Sequence, residues 1–227
     1  DLTGDLLLHD HWPPKQGDEK NYVHLGPESF YIAKEIQAHA SELKEKILLD
    51  LGCSSSVLAL PAAPHVEKAI GIDISARAIE FADTLKEFRQ LKNVEFYQTS
   101  VGSEIAETLI GQDIDIAVFN PPLAIPHEGT SYPHRDGGNF GIEIPLLFLD
   151  FASRHLKPQG QCWFIVGAPI VKGKDFFAEE LKTRKEWKVE QLRLIDPYFN
   201  QALARKHNYP VQGIEHIELR LYRLIKV

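Results

Sequence analysis

The sequence has few of the features that mark secreted, membrane or nucleic-acid-coating proteins. Its 227 residues include two cysteines, Cys53 and Cys162, which cannot form a disulfide framework and fit a reducing compartment such as the cytoplasm. No apolar run approaches the roughly 18 residues of a transmembrane helix, and no secretory signal pattern opens the chain. We therefore expect a cytoplasmic protein that does not act in a membrane.

Basic residues are not in excess either. The 25 Lys and Arg residues stand against 32 Asp and Glu residues, which gives a formal charge of −7. Such a chain is a poor general binder of nucleic acid, although a local basic patch remains open. The run formed by Lys172, Lys174, Lys182, Arg184, Lys185 and Lys188 is typical of a solvated helix face.

What is present is ordinary for a globular domain: 44% hydrophobic and 25% charged residues, without repeats or low-complexity segments. Disordered, collagen-like and coiled-coil chains are excluded. We expect an irregular N-terminal segment over residues 1–25 and one domain over residues 26–227.

Predicted helices and strands alternate along this domain. Helices are expected over residues 28–45, 75–91, 102–109, 142–156 and 174–185. A further helix of small residues is expected to follow Gly52 and to end at about residue 63. Strands are expected over residues 46–51, 66–72, 94–97, 114–119, 162–166, 189–195 and 214–225, with a long loop over 121–141. This alternation predicts a doubly wound α/β fold whose ligand lies at the carboxyl ends of the strands.

The first candidate motif is Asp50-Leu51-Gly52, followed by Cys53 and three serines, directly after a predicted strand. A tight turn of small residues lets a ligand approach the backbone and the next helix N-terminus. The acid before the glycine differs from the dinucleotide fingerprint Gly-x-Gly-x-x-Gly. Alone, this motif fits a ligand site and a plain glycine turn equally well.

The second motif is Asp73, at the end of the next strand and just over 20 residues beyond the glycine turn. Rossmann-like folds have a carboxylate at this position that accepts hydrogen bonds from ribose hydroxyls. A lone acid at a strand end is usually a cap or a solvated residue. Paired with the glycine turn, Asp73 favours a cofactor that contains a nucleoside.

The third motif is Asn120-Pro121-Pro122-Leu123, after the apolar strand 114–119. Two prolines fix φ and remove N–H donors, so they hold the chain extended. The Asn amide and the backbone carbonyls can then point into a cleft as fixed acceptors. Asn-Pro by itself often marks a simple turn, whereas this longer combination is more specific.

Together the three motifs resemble class I S-adenosylmethionine-dependent methyltransferases, in the branch with an Asn-Pro-Pro-aromatic motif. They are similar to release-factor glutamine methyltransferases and small-domain rRNA methyltransferases. Three further segments share this similarity: Leu156-Lys157-Pro158-Gln159-Gly160, Asp136-Gly137-Gly138 with Gly141, and Leu25-Gly26-Pro27-Glu28-Ser29. The resemblance implies a single Rossmann-like domain with a mostly parallel seven-stranded sheet and an antiparallel last strand.

The resemblance also implies S-adenosyl-L-methionine as the cofactor and an amide or exocyclic amine as the methyl acceptor, in a protein glutamine, a nucleobase or a small molecule. By the same resemblance, the Asn120 side-chain oxygen and the Pro121 carbonyl hold the acceptor nitrogen for in-line attack. The expected catalytic residues are Asn120, Pro121, Pro122 and Leu123. The expected cofactor-binding residues are Asp50, Gly52, Cys53, Ser54, Asp73, Ile74, Ser100, Val101 and Asn120.

Three positions depart from the family pattern. Ser54 and Ser56 stand where the family has glycines, and their side chains are expected to narrow the approach of the cofactor carboxylate. The position of the adenine-binding acid is occupied by Thr99-Ser100. Leu123 replaces an aromatic residue and gives up a stacking contribution of roughly 1–3 kcal/mol, which weighs against a flipped base in duplex nucleic acid.

Two alternatives remain open at this stage. One is a nucleotide-dependent oxidoreductase on the same fold; the other is a methyltransferase-like subunit without activity that supports a partner. No metal is expected, since the spacing of His9, His11 and His24 is not that of a ligand set. His127 and His134, in the long loop, are typical of surface histidines, with a substrate contact as the other interpretation.

Overall fold

A computed structural model describes residues 6–10, 22–111, 113–126, 133–199 and 213–227. The helices are Ser29–Ala38 (α1), Ala59–Ala62 (α2), Ala76–Phe88 (α3), Glu104–Ile110 (α4), Glu143–His155 (α5) and Phe176–Leu181 (α6). The strands are Ile47–Leu51 (β1), Lys68–Asp73 (β2), Val94–Gln98 (β3), Ile114–Phe119 (β4), Leu156–Val171 (β5), Lys174–Asp175 (β6), Trp187–Asp196 (β7) and Ile214–Lys226 (β8). Short 3₁₀ turns cover Ala40–Glu42, Ala63–His65 and Asn139–Gly141.

The strands form one sheet in the order β3-β2-β1-β4-β5-β8-β7, with the two-residue β6 beside β5. Neighbouring strands from β3 to β5 are parallel, whereas β8 is antiparallel to both β5 and β7. The predicted doubly wound sheet with an antiparallel last strand is confirmed. The order of strands reverses between β1 and β4, which is where such a sheet opens a crevice for a ligand.

Apolar residues cover both faces of the sheet because adjacent residues of a strand point to opposite faces. Leu48 packs in the core with α1, α2 and α3, whereas Leu49 packs in the core with α4, α5 and α6. Burial on both faces explains the continuous apolar runs of β1 and β4. At the start of α3, the Ser75 hydroxyl caps the helix by accepting a hydrogen bond from the Ala78 N–H at 3.2 Å.

Several predicted elements differ from the structure. The helix predicted over 28–45 ends at Ala38 and is followed by the 3₁₀ turn Ala40–Glu42. The strand predicted over 162–166 is longer because β8 pairs with β5 as far as Val171, even through Pro169. Residues 157–160, which belong to a segment that resembles the family, lie within β5 as an irregularity of its register, with Gln159 at φ 64°. The helix predicted over 174–185 is wrong at both ends, since β6 precedes Phe176 and α6 ends at Leu181.

The segment before α1 packs against the domain where the structure describes it. Val23 is buried. The Asp10 carboxylate accepts hydrogen bonds from the Val23 N–H at 3.0 Å and from the Arg77 guanidinium of α3 at 2.6 Å. The boundary at residue 25 stays a prediction. Within the described residues, the longest helices fall short of the length and apolarity that membrane crossing requires.

Candidate active site

A cavity of about 810 Å³ lies at the carboxyl ends of β1, β2 and β4, at the point where the strand order reverses. Every residue that the sequence predicted for catalysis or cofactor binding lines it. These residues are Asp50, Gly52, Cys53, Ser54, Asp73, Ile74, Ser100, Val101, Asn120, Pro121, Pro122 and Leu123. The fold therefore brings three motifs that are distant in sequence to one crevice.

The loop after β1 holds Asp73 in a fixed position. Gly52 has φ +68°, and the N–H groups of Gly52 and Cys53 both donate to the Ile72 carbonyl, at 2.8 and 3.0 Å. This turn aims the Ser54 N–H at one Asp73 carboxylate oxygen at 2.9 Å, while the Ser75 N–H binds the other at 2.8 Å. Burial nevertheless raises the pKa of Asp73. An anchored carboxylate of this kind suits a ligand with hydroxyl donors.

Asp50 is a second buried carboxylate in the same cavity. It is 1% exposed and accepts a hydrogen bond from the Ala59 N–H at 3.1 Å. Burial, with the nearby Asp73 carboxylate as a smaller cause, raises the pKa of Asp50 to about 8. Two acids on one cavity, of which Asp50 is buried and Asp73 partly buried, favour a ligand that brings positive charge and hydrogen-bond donors.

The serines that replace family glycines have different surroundings. Both have left-handed backbone, with φ 49° at Ser54 and 66° at Ser56. The Ser54 hydroxyl donates to the His24 carbonyl at 3.0 Å and so ties the upstream segment to the loop. Ser56 is fully buried and is not part of the cavity wall. The expectation that Ser56 narrows the approach to the cofactor is therefore wrong, because its side chain packs into the protein interior.

The adenine side of the predicted cofactor site is more open. Ile74 is 55% exposed, and Ser100 beside it is also exposed. The Thr99 hydroxyl lies 2.9 Å from the Ser103 hydroxyl, so its hydrogen bonding is directed towards the start of α4. Ser100 and Ile74 are thus the surfaces available for a planar ring near Asp73.

The Asn120 amide is oriented by a residue of α1. Its Nδ2 donates to the Ser29 hydroxyl at 2.9 Å, while Oδ1 is buried and has no hydrogen-bond partner among the described residues. A buried acceptor without a donor costs on the order of 1–3 kcal/mol unless a ligand satisfies it. Pro121 and Pro122 continue the cavity wall, whereas Leu123 is only 9% exposed and packs mainly in the core.

The glycines after the Asn-Pro-Pro motif fit directly against it. A Cβ atom on Gly137 would lie 2.7 Å from the Pro122 carbonyl oxygen, and one on Gly141 would lie 2.6 Å from the Leu123 carbonyl oxygen. Gly141 also has φ +72°. Only glycine allows this close packing of the two segments.

Further residues of the site were not among the predicted catalytic and cofactor-binding residues, although a substrate contact was one interpretation of His134. Tyr22, His24, Glu28 and His134 line the cavity, and burial raises the pKa of Glu28. No local pattern joins positions 22–28 to position 134, since tertiary folding alone brings them together. His11 and His127 lie outside the described residues, within which no cluster of three or more His, Cys, Asp or Glu side chains is placed to hold a metal.

Comparison with known proteins identifies the fold and its chemistry. The model of the methyltransferase domain family matches residues 42–193. The chain belongs to this family. Family membership decides against a nucleotide-dependent oxidoreductase and supports an enzyme with S-adenosylmethionine as its methyl donor.

Curated relatives of this methyltransferase domain are similar over part of their length. An uncharacterized RNA methyltransferase of Protochlamydia amoebophila is 32% identical over 103 residues, which cover 44% of this chain and 24% of that protein. The 23S rRNA (uracil(747)-C(5))-methyltransferase RlmC of Vibrio vulnificus is 31% identical over 105 residues, or 42% of this chain and 27% of that protein. The chain thus spans about a quarter of the length of these relatives.

Solved structures agree on the fold. An rRNA methylase from Streptococcus thermophilus superposes with a TM-score of 0.56 at 14% identity, and the match covers 86% of this chain and 96% of that one. At this identity the likeness shows the α/β fold alone.

The described residues fit the methyl donor of the family. S-adenosylmethionine carries ribose hydroxyls, an ammonium group and a sulfonium centre. Asp73 offers carboxylate oxygens for hydroxyls, and a bound cation would favour the ionised form of the buried Asp50, whose pKa is otherwise raised by burial. Gly52, at φ +68°, lines the same cavity as these two acids.

Proposed function

We propose that this methyltransferase transfers a methyl group to an amide or exocyclic amino nitrogen, with RNA as the favoured acceptor class. The observation that carries the proposal is the Asn120 amide, whose Nδ2 is held by Ser29 while its Oδ1 lacks a donor among the described residues. An N–H of an acceptor amine is the group that satisfies such an oxygen. RNA is favoured because both curated relatives described above are named as RNA methyltransferases.

In this proposal the cofactor contacts follow the two acids. Asp73 accepts the ribose hydroxyls, and Ile74, Ser100 and Val101 line the space for adenine. Asp50 and the loop Gly52, Cys53 and Ser54 hold the methionine end. When bound, the cofactor supplies an electrophilic methyl group on sulfur.

The protein's own contribution to the reaction is positioning. The Asn120 Oδ1 and the Pro121 carbonyl accept hydrogen bonds from the two N–H groups of the acceptor, so that the nitrogen lone pair points along the line of attack. Pro121 and Pro122 keep these acceptors in place because their φ angles are fixed. Proton loss follows methyl transfer, and a strong base is not required.

Methylation at a pyrimidine carbon is the second candidate, because RlmC is named as a uracil C5 methyltransferase. A ring carbon needs a protein nucleophile that first adds to the ring. Cys53 and Cys162 are the cysteines of this chain; both are buried, and burial raises the pKa of both thiols. Neither thiol has the exposure or charge of a reactive nucleophile, which supports a nitrogen acceptor.

The first experiment is calorimetric titration with S-adenosylmethionine and S-adenosylhomocysteine. We expect binding by the unchanged chain and its loss in Asp73→Ala, with the exposed Asp113→Ala as the matched control. Absence of binding in the unchanged chain would contradict the proposal and favour a non-catalytic partner subunit.

Free buried cysteines support the cytoplasm as the compartment.

The second experiment identifies the product. Labelled S-adenosylmethionine is incubated with bulk RNA, and the nucleosides are separated by mass. N-methylated nucleosides that disappear in Asn120→Ala support the proposal. A C5-methylated uridine instead would establish the second candidate.

A further inference from the structure

Three aromatic side chains meet at one wall of the cavity. The ring centroids of Tyr22 and His134 are 5.0 Å apart, those of His24 and His134 are 5.3 Å apart, and those of Tyr22 and His24 are 6.0 Å apart. All three residues line the cavity that also contains Asn120 and Leu123. We call this group the aromatic wall. It unites the segment before α1 with the loop after the Asn-Pro-Pro motif.

The aromatic wall adjoins the proposed acceptor site. A Cβ atom on Gly26 would lie 3.3 Å from the Asn120 Nδ2 and 3.5 Å from the His24 Nε2. Both the Asn120 amide and the His24 ring therefore lie close to Gly26, in the direction where a Cβ would project. The absence of a side chain at Gly26 lets the ring and the amide share one part of the cavity.

The wall carries little charge at neutral pH. Burial lowers the pKa of His134 to about 4, with the neighbouring His24 and Arg135 charges as further causes. Burial also lowers the pKa of His24. Tyr22 is 8% exposed, and its hydroxyl donates to the Asp10 carbonyl at 3.3 Å. Neutral, partly desolvated rings are suited to stacking on a planar heterocycle.

We propose that Tyr22, His24 and His134 are specificity-determining residues that stack on an unpaired nucleobase and present its amino group to Asn120. The inference rests on the proposed function and narrows it to a base in single-stranded RNA. Leu123 stands where the family motif has an aromatic residue, and its aliphatic side chain offers no planar surface to the cavity. The aromatic wall supplies that surface from other parts of the chain. Single-stranded RNA is commonly bound through bases that stack on Tyr and His rings.

The test uses a short single-stranded RNA with one 2-aminopurine, whose fluorescence reports stacking, and a 5′-fluorescein for anisotropy. Binding is measured with S-adenosylhomocysteine present. We expect His134→Ala and Tyr22→Ala to weaken binding by roughly five- to 150-fold, the loss of one base–aromatic contact. His134→Phe and Tyr22→Phe retain a ring and are expected to retain binding.

The control variant is His65→Ala, which removes a partly exposed histidine outside the cavity. Calorimetric titration with S-adenosylhomocysteine establishes that each variant is folded. Equal RNA binding by the unchanged chain and His134→Ala overturns the inference, as does weakening by His134→Phe as large as that by His134→Ala.

Failure of the inference and failure of the proposed function give different results. A chain that binds S-adenosylhomocysteine but not the RNA, and that methylates a glutamine-containing peptide, retains the proposed nitrogen chemistry and contradicts the aromatic wall. A chain that binds no S-adenosylhomocysteine contradicts the proposed function itself.

Discussion

Ser56 has the backbone conformation of a glycine without being one. Its φ is 66°, its side chain is fully buried, and its hydroxyl has no hydrogen-bond partner among the described residues. Left-handed backbone costs a residue with a Cβ roughly 1–2 kcal/mol, and an unsatisfied buried hydroxyl adds to this cost.

We therefore predict that Ser56→Gly stabilises the fold. The greater freedom of glycine in the unfolded chain offsets part of the gain, so we expect the free energy of unfolding to rise by about 1 kcal/mol. Urea unfolding measures the change. Ser54→Gly is the comparison, because it relieves similar strain but removes the hydrogen bond to the His24 carbonyl. A Ser56→Gly variant that is less stable than the unchanged chain would contradict this account.

The buried Asp50 makes stability depend on pH. Its pKa rises from an ordinary value of 3.8 to about 8 on folding, because the charged form loses water. The folded state then holds a proton that the unfolded chain has released between these two pH values. Stability from this group is present below about pH 4 and is lost as the pH rises to about 8.

Asp50→Asn should remove this part of the pH dependence. The amide keeps an acceptor for the Ala59 N–H and carries no charge. Between pH 5 and pH 8 the unfolding free energy of the unchanged chain should fall relative to that of Asp50→Asn, measured without cofactor. Parallel pH profiles for the two chains would contradict the raised pKa. Asp73, whose pKa is raised by burial too, contributes in the same direction in both chains.

At the scale of elements, the segment 136–141 acts as a support for the Asn-Pro-Pro loop. The Ala124 N–H donates to the Arg135 carbonyl at 2.8 Å, and the Gly137 N–H donates to the Ala124 carbonyl at 2.7 Å. With Gly141 against the Leu123 carbonyl, these bonds fix the strand-like chain that follows Pro122.

Gly141→Ala should therefore displace the Asn-Pro-Pro loop. We expect methyl transfer to fall at least tenfold, because misplacement by about 1 Å costs on the order of 10²-fold in a reaction that depends on positioning. Cofactor binding at Asp73 should persist in calorimetric titration. Gly111→Ala is the matched control, since Gly111 has φ +66° and open space where a Cβ would be. Equal activity of the two variants would contradict the role of Gly141 in supporting the Asn-Pro-Pro loop.

At the scale of the whole molecule, the cavity is built from segments that are far apart in the sequence. The cavity wall includes residues of the segment before α1, the ends of β1, β2 and β4, and α5. A ligand that contacts all of these parts binds only the folded chain and therefore stabilises it.

S-adenosylhomocysteine should consequently raise the unfolding midpoint. At a hundredfold excess over its dissociation constant the gain is about 2.7 kcal/mol, or roughly 5–10 °C for a chain of this size. Thermal unfolding with and without the ligand measures it. Asp73→Ala should show no shift, and Asp113→Ala should show the full shift. If the ligand raised the unfolding midpoint of Asp73→Ala as much as that of the unchanged chain, the Asp73 carboxylate would not be part of the cofactor site.

The sequence predicts most elements closely where periodicity and caps agree. Strand 114–119 and the helix around 142–156 match β4 and α5 within a residue or two. Boundaries failed where a partner strand decides them: β5 extends to Val171 through pairing with β8, although Gly167 and Pro169 read locally as the end of a strand. The residues of the predicted site share one cavity because each lies at or just after the carboxyl end of a parallel strand.

Local sequence was enough to predict the alternation of apolar strands and helices and the three motifs: the acid at the end of β2, the small-residue turn and the rigid Asn-Pro-Pro. These depend on spacing within short segments, which local physics governs. Tertiary structure alone decided that Ser29 orients the Asn120 amide, that Ser56 lies in the interior, and that Tyr22 and His24 meet His134. Such contacts join segments far apart in the chain, and only the packing of the whole sheet brings them within reach.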